Sequence, residues 1–600
     1  MKHDLKAFND SVAYYQQQLK KHKGKSLFVV LPAKDQEAFF SMAPFSRAAH
    51  NLGCDLNVSL VQDKSDGIEA LLEVWAAFEE LSHGLKTGRA VALGDFIKEV
   101  DKKAKGEFRK LFRKPELFIF GVKQGLALST GELLEKRPEW FKKYRWEELL
   151  VTALIVWKQV YNLKRTDRVG MGFDLIMKAS DMKDPLEDYM DSYAIARTMF
   201  LACPANQKSM KSSTARKTML EKSERTSEIA ATLLGCELEK DINEPVFRKY
   251  RKLSKLLRLD RLKTNTATFF IKGEGYAGKH LFGETIGYPT PNRKSRWESP
   301  GGMIYQFPWY PQTKIDGRGP KCRLGFTDTL PIDIYIDSCK IDWMEMKKKN
   351  DALVALANKS DKIFVESGKT KLEVGIMRPN GKRRIPMNSD VDTRDMIDKL
   401  YLKDGIKAGN MANIPGGEMF ITPEYMKGRF YGDCVISVDK SYVLNSKNPL
   451  VIDCFGNDYK IVSGPKAVIK KINEKKAEAM KVLKKQEKNK SLPQAIVDLK
   501  KKNYTNIGEF AINTNPKARL CNYLIVNEKI AGMIHIALGS GFEEDRASIY
   551  HYDIVINAKE QKLNIYGVKY GKKDKVTKGK DGKAPELKRY WMMKEGKLAI

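Results

Sequence analysis

Six residues in the C-terminal part of the chain are candidate metal ligands by side-chain type. They are Glu418 in NIPGGEMF, Glu509 in IGEFAIN, Glu528 in NEKIAG, His535 in MIHIALG, and His551 and Asp553 in IYHYDIV. The chain has only seven histidines in 600 residues, and these two stand in apolar, strand-like runs of the kind that normally excludes charge. Residues two apart on a strand share a face, so His551 and Asp553 project together while Tyr552 points away. Imidazole and carboxylate without thiolate suit Zn, Co, Mn or Fe. A carboxylate-rich set can hold two such ions about 3.5–4 Å apart and generate a hydrolytic nucleophile between them. One histidine on an apolar strand is more often a hydrogen-bonded core residue than a ligand; the argument for metal chemistry is the concentration of ligand types in one run of strands.

These groups need a frame. From KLEVGIM onward the chain is a series of strand-like runs and glycine-bearing turns, interrupted by one lysine-rich helix around residues 466–487, the pattern of an α+β domain. In NIPGGEMFITPEY, prolines and glycines force a turn that brings Glu418 forward. The N-terminal part alternates instead: SLFVVLPA, a helix through QEAFFSMAPFSRAAHNLG, CDLNVSLV, a helix in IEALLEVWAAFEELSHG, then PELFIFGVK. Such β-α-β alternation predicts an open α/β sheet. Residues 129–265 are almost wholly helical in pattern, opening at Ser129 with Glu132 as a capping box. Strand-like runs return at TATFFIKG, DIYID and DKIFVES, with a helix in MEMKKKNDALVALANK. The expected organisation is an α/β N-terminal domain (1–128) with a helical insertion (129–265), resuming over 266–369 with an irregular segment, followed by an α+β domain (370–600) that carries the candidate metal ligands.

Composition narrows the function classes. No apolar run reaches the roughly 20 residues of a membrane span, and the segment MKHDLKAFNDSVAYYQQQ lacks a signal peptide's apolar core, so a cytoplasmic protein without membrane contact is expected. The eight cysteines form no CxxC pair, which argues against a zinc ribbon, a redox motif or a disulfide framework. A net charge of +32 would favour nucleic acid. Its lysines, however, are spread over residues 208–263, 466–502 and GVKYGKKDKVTKGKDGK rather than gathered with interleaved aromatics at one patch, so only weak, nonspecific nucleic-acid contact is expected. The segment GEGYAGKH at 273–280 matches G-x-G-x-x-G and most of a Walker A loop. His280 stands where a magnesium-binding Ser or Thr belongs, and LFGETIGYPTP follows in place of a helix, so a glycine-rich turn is the expectation.

Over about residues 370–556 the chain resembles the aminopeptidase T (thermophilic metallo-aminopeptidase) family. The resemblance rests on four motifs in order: Asn413-Ile414-Pro415-Gly416-Gly417-Glu418-Met419-Phe420, Gly508-Glu509-Phe510-Ala511-Ile512-Asn513, the run from Glu528 to Gly539, and His551-Tyr552-Asp553. It implies removal of N-terminal amino acids from peptides by a water activated at two divalent ions (Zn, Co or Mn), in a homodimer that encloses its active sites. Carried over, Glu418, Glu509, His535, His551 and Asp553 are metal ligands, with Glu509 bridging and Glu528 a further candidate; Glu418 and Glu509 are the carboxylates assigned to catalysis. Position 542 departs from the pattern: it carries Phe542 where several family members have a tyrosine near the metals, leaving Tyr550 or Tyr552 to supply a hydroxyl. The alternative reading is a non-catalytic, metal-containing relative that binds RNA or another acidic partner through its basic surface.

Overall fold

The structure is a computed structural model that describes residues 5–32, 36–61, 116–119, 145–161, 169–173, 186–202, 267–272, 323–388, 411–489, 494–541, 543–570 and 586–600. The chain forms two compact units, Met1–Gly278 with Ile304–Ile336, and Lys279–Met303 with Asp337–Ile600. GEGYAGKH, Phe542, most of the expected helical insertion and the irregular segment after residue 278 lie outside the described residues.

In the first unit, the β-branched and aromatic run Ser26–Pro32 pairs in parallel with Asp55–Val61 on one side and Glu116–Ile119 on the other. The helices Leu5–Leu19 and Gln36–Asn51 are joined by an edge-to-face contact of Tyr15 with Phe45. A second parallel set runs Val169–Phe173, Ala267–Lys272, Arg323–Asp328. Two expectations fail here. Val169–Phe173, inside the stretch 129–265 expected to be a helical insertion, is a strand of this parallel set. The DIYID run, which alternation assigns to a strand, lies in the helix Ile332–Cys339. Its buried apolar residues are Ile332, Tyr335, Ile336 and Cys339, a spacing of three, one and three that one helix face satisfies; a short apolar-polar alternation fits both periods, and the burial pattern selects the helix.

The second unit contains two antiparallel sheets. In the larger, the strands run in the order Asp458–Ser463, Leu450–Gly456, Tyr425–Gly432, Lys371–Gly375, Lys362–Glu366, Asn564–Tyr570, Glu586–Lys594, Lys597–Leu598. The other runs Ser441–Val443, Val435–Ser437, His551–Ile556, Ile534–Gly539, Ile507–Asn513, Glu418–Ile421, Met387–Asn388. Residues from both contribute to one core, with Val365, Val374, Phe430 and Ile452 from the first and Met419, Phe510, Ile512, Ile536 and Ile554 from the second. The lysine-rich helix Lys466–Lys488 closes over this core with Val468, Ile472 and Leu483, while Lys475 and Lys471 pair with Glu478 and Glu474 on its outer side.

Candidate metal centre

The period of two explains how the seven-stranded sheet separates its core from its chemistry. On Ile507–Asn513, Phe510 and Ile512 enter the core, so Glu509, Ala511 and Asn513 take the opposite face. Register then aligns the neighbouring strands. Ala511 lies opposite His535, Glu509 opposite Ala537, Ala537 opposite Asp553, Gly539 opposite His551, and Glu418 opposite Asn513. Five ligand-type side chains therefore share one face, with the small residues Ala511, Ala537 and Gly539 leaving them room. Glu528 reaches the same place from the turn after the short helix Leu524–Asn527.

The structure brings all six sequence-predicted residues together; five are buried, and His551 is half-buried with its side chain 4% exposed. Their ligand atoms form three overlapping groups: Glu418, Glu509 and His535; Glu509, His551 and Asp553; Glu528, His535 and Asp553. Nε2 of His535 lies 3.3 Å from Glu509 Oε1, 3.7 Å from Glu418 Oε2 and 3.9 Å from Asp553 Oδ1. Nε2 of His551 lies 3.4 Å from Glu509 Oε2 and 3.2 Å from Asp553 Oδ1. Glu509 thus presents one oxygen to each imidazole.

The other ring nitrogens are held from outside. His535 Nδ1 is 2.8 Å from Asn513 Oδ1, and His551 Nδ1 is 2.7 Å from the Ser540 carbonyl. Both partners are acceptors, so each Nδ1 donates and each Nε2 is left to the carboxylate cluster; this outer support is what orients histidine ligands at metal sites. Two glycines permit it. An added Cβ on Gly508, where the register shifts by one residue, would come within 2.0 Å of the Ser540 carbonyl oxygen. On Gly539, at φ +103, it would come within 2.2 Å of the Tyr550 carbonyl oxygen. Glu418 is delivered by a turn in which Gly417 adopts φ +130, and a Cβ there would meet Asn515 at 2.6 Å. Asn515 Nδ2 donates to the Gly416 carbonyl at 2.8 Å and Thr514 N–H to the Gly417 carbonyl at 2.7 Å.

Charge in the cluster is mutually determined. Burial works against both imidazolium ions, but the carboxylates outweigh it: Glu509, Asp553 and Glu418 push His535 up to about 9, and Asp553 and Glu509 push His551 up to about 10. Burial raises Glu509, with His535 opposing it. It pushes Glu528 up to about 7, where Lys529 opposes the rise and Asp553 and Glu418 add to it. Asp553 is held well below the usual carboxylate range despite burial, by His551, His535 and Lys529. Both Asp553 oxygens are buried and lack a hydrogen-bond partner among the described residues. A buried carboxylate whose Oδ1 faces the Nε2 atoms of two outward-held imidazoles is a donor set that fits a divalent ion.

Sequence reasoning missed three contributors. Asn513 is the last residue of the quoted GEFAIN motif, and its place four residues after Glu509 puts it on the ligand face. Ser540 acts through its backbone, for which side-chain type gives no signal. Lys529, adjacent to Glu528, places Nζ 2.6 Å from Glu418 Oε2 and 2.8 Å from Glu528 Oε1 with its side chain 1% exposed. The tyrosines proposed to replace a missing phenol lie elsewhere. Tyr552 alternates into the core, and the Tyr550 hydroxyl bonds to the Tyr459 hydroxyl at 2.8 Å and to the Tyr504 carbonyl. Together with Tyr459 and Tyr504, Tyr550 surrounds the Lys476 ammonium, with ring centroids 4.6–5.1 Å away.

No protein-family model matches the chain, and no curated protein does. Among solved structures, wild-type AmpT from Thermus thermophilus matches with 13% sequence identity and a TM-score of 0.36, covering 76% of this chain and 99% of that one. No helix among the described residues is long and apolar enough to cross a membrane.

Proposed function

We propose that the chain is a metal-dependent aminopeptidase that hydrolyses N-terminal amino acids from peptides. The observation that carries this reading is the paired support of the two imidazoles: each Nδ1 is fixed by an oxygen outside the cluster, and each Nε2 faces Glu509 and Asp553. The four ordered motifs that surround these residues in the sequence agree with it. A bound divalent ion would supply a Lewis acid and a water acidic enough to act as a nucleophile near neutral pH. Glu509, His551 and Asp553, with His535 beside them, are the residues that would hold it.

The remaining chemistry belongs to the chain. Glu509 lies between both imidazoles and is positioned to orient the nucleophilic water. Glu418 and Glu528, on the side of the cluster nearest Lys529, are available to take the water's proton and pass it to the leaving amine. Burial of the whole cluster excludes bulk water and strengthens each of these electrostatic interactions. An acidic group not engaged in ligation would also recognise the α-ammonium of a peptide.

The test is release of N-terminal amino acids from a mixed peptide library by protein stripped with chelator and resupplied with Zn, Co or Mn. Metal-restored release that is lost in Glu509→Gln and His535→Ala is the expected result. Tight metal binding with no release for any ion would overturn the peptidase reading and favour a metal-containing binding protein.

A further inference from the structure

The three ligand groups are not equally free to accept an ion. Glu418 belongs to one and Glu528 to another, and the Lys529 ammonium already sits 2.6 Å from Glu418 Oε2 and 2.8 Å from Glu528 Oε1. A metal ion bound to either carboxylate would stand about 2.0–2.2 Å from its oxygen, within a few ångströms of a fixed positive charge in a site that water does not screen. The third group, Glu509, His551 and Asp553, has neither of its carboxylates in contact with the lysine.

Lys529 is also built into the frame. Its carbonyl accepts from the Asn515 N–H at 2.9 Å, its own N–H donates to the Val526 carbonyl at 3.0 Å, and the Asn515 side chain holds the Gly416 carbonyl in the turn that delivers Glu418. Asn413 Nδ2 donates to Glu528 Oε1 at 3.2 Å from the start of that same turn. The lysine, both of its carboxylates and the turn that presents one of them are thus a connected buried unit. Withdrawing a side chain this buried from between two buried carboxyl groups would break both contacts at once, so the ammonium is not readily displaced by an incoming ion.

We propose that Lys529 is a resident cation standing in for one metal ion, so that each chain binds a single divalent ion at Glu509, His551 and Asp553, with His535 beside it. This rests on the metalloenzyme reading above and refines it. The ammonium supplies positive charge next to the reacting centre but has no coordination position for water, so nucleophile activation falls to the one bound ion.

Metal stoichiometry tests it directly, with no need for a substrate. Native mass spectrometry and elemental analysis of the full chain in excess Zn or Mn should give one ion per chain for the wild type and for Lys529→Arg, and two for Lys529→Met, which removes the charge at similar length. Glu528→Gln should keep the single ion and Asp553→Asn should lose it, which locates the site even if Lys529→Met does not fold. Two ions in the wild type would overturn the inference and leave the aminopeptidase reading standing, as would a single ion in a folded Lys529→Met chain. Loss of the ion in Glu528→Gln with retention in Asp553→Asn would overturn the placement. No ion in any chain would overturn both the inference and the metalloenzyme reading.

Discussion

Substituting Gly508 by alanine tests whether the backbone around the centre controls metal affinity without touching a ligand. The added methyl would sit 2.0 Å from the Ser540 carbonyl oxygen, against the 3.4 Å or more of ordinary contact, and both neighbouring atoms within 3 Å are also backbone. Side-chain rotation cannot relieve such a clash, so the Ser540 peptide must retreat. The His551 Nδ1 to Ser540 bond is 2.7 Å long, and a displacement of that order carries it beyond the roughly 3.2 Å limit of a useful N–H···O bond. Overpacking of this kind costs about 1–3 kcal/mol of stability. Loss of the outer support of a histidine ligand costs about 10–100-fold in metal affinity, equivalent to about 1.4–2.7 kcal/mol. Urea unfolding without metal and competitive chelator titration with Zn would measure the two effects separately, with Gly368→Ala as control because nothing lies within 4 Å of its Cβ position. A Gly508→Ala chain that matches the control in both measurements would refute the account of how His551 is positioned.

Two further outcomes are expected. The metal-free imidazoles titrate at about 9 and about 10, so at pH 7 both carry protons that a metal must displace; uptake should release close to two protons, and apparent affinity should rise with pH until it levels near pH 10. Calorimetry in buffers of different ionisation enthalpy reads that number, and release of less than one proton would contradict it. Arg384 has a 1% exposed side chain that contacts Glu424, Glu543 and Asp545, the last two in the connection between the His535 and His551 strands. Arg384→Met takes away the most buried cation of the network but leaves Arg378 on Glu543 and Arg546 on Glu424 and Asp545, so it should cost about 1–3 kcal/mol in urea unfolding; a loss below about 0.5 kcal/mol would show Arg384 to be dispensable.

The candidate ligand cluster was legible in the sequence because its signal is local. An HxD triplet on an apolar run places two donors on one face whatever the rest of the chain does, and a buried-looking carboxylate in GEFAIN or a glycine-rich turn before Glu418 can be recognised residue by residue. The β-rich character of the C-terminal region was legible for the same reason, since alternation is a property of neighbours. The helix at Ile332–Cys339 was misread because a run of a few residues satisfies both periods until burial on one side is known.

The sequence by itself determined which side chains could bind a metal and that they alternate with core residues, because residue type and the two-residue period of a strand are written in the chain order. Only the tertiary structure decided the register that sets Glu418 opposite Asn513 and Asp553 opposite Ala537, the carbonyl of Ser540 on His551, and the ammonium of Lys529 between Glu418 and Glu528. The last spans more than a hundred residues of sequence to Glu418. Such contacts follow from strand pairing and turn geometry between distant segments, and no local pattern records which donor a lysine beside a glutamate will meet.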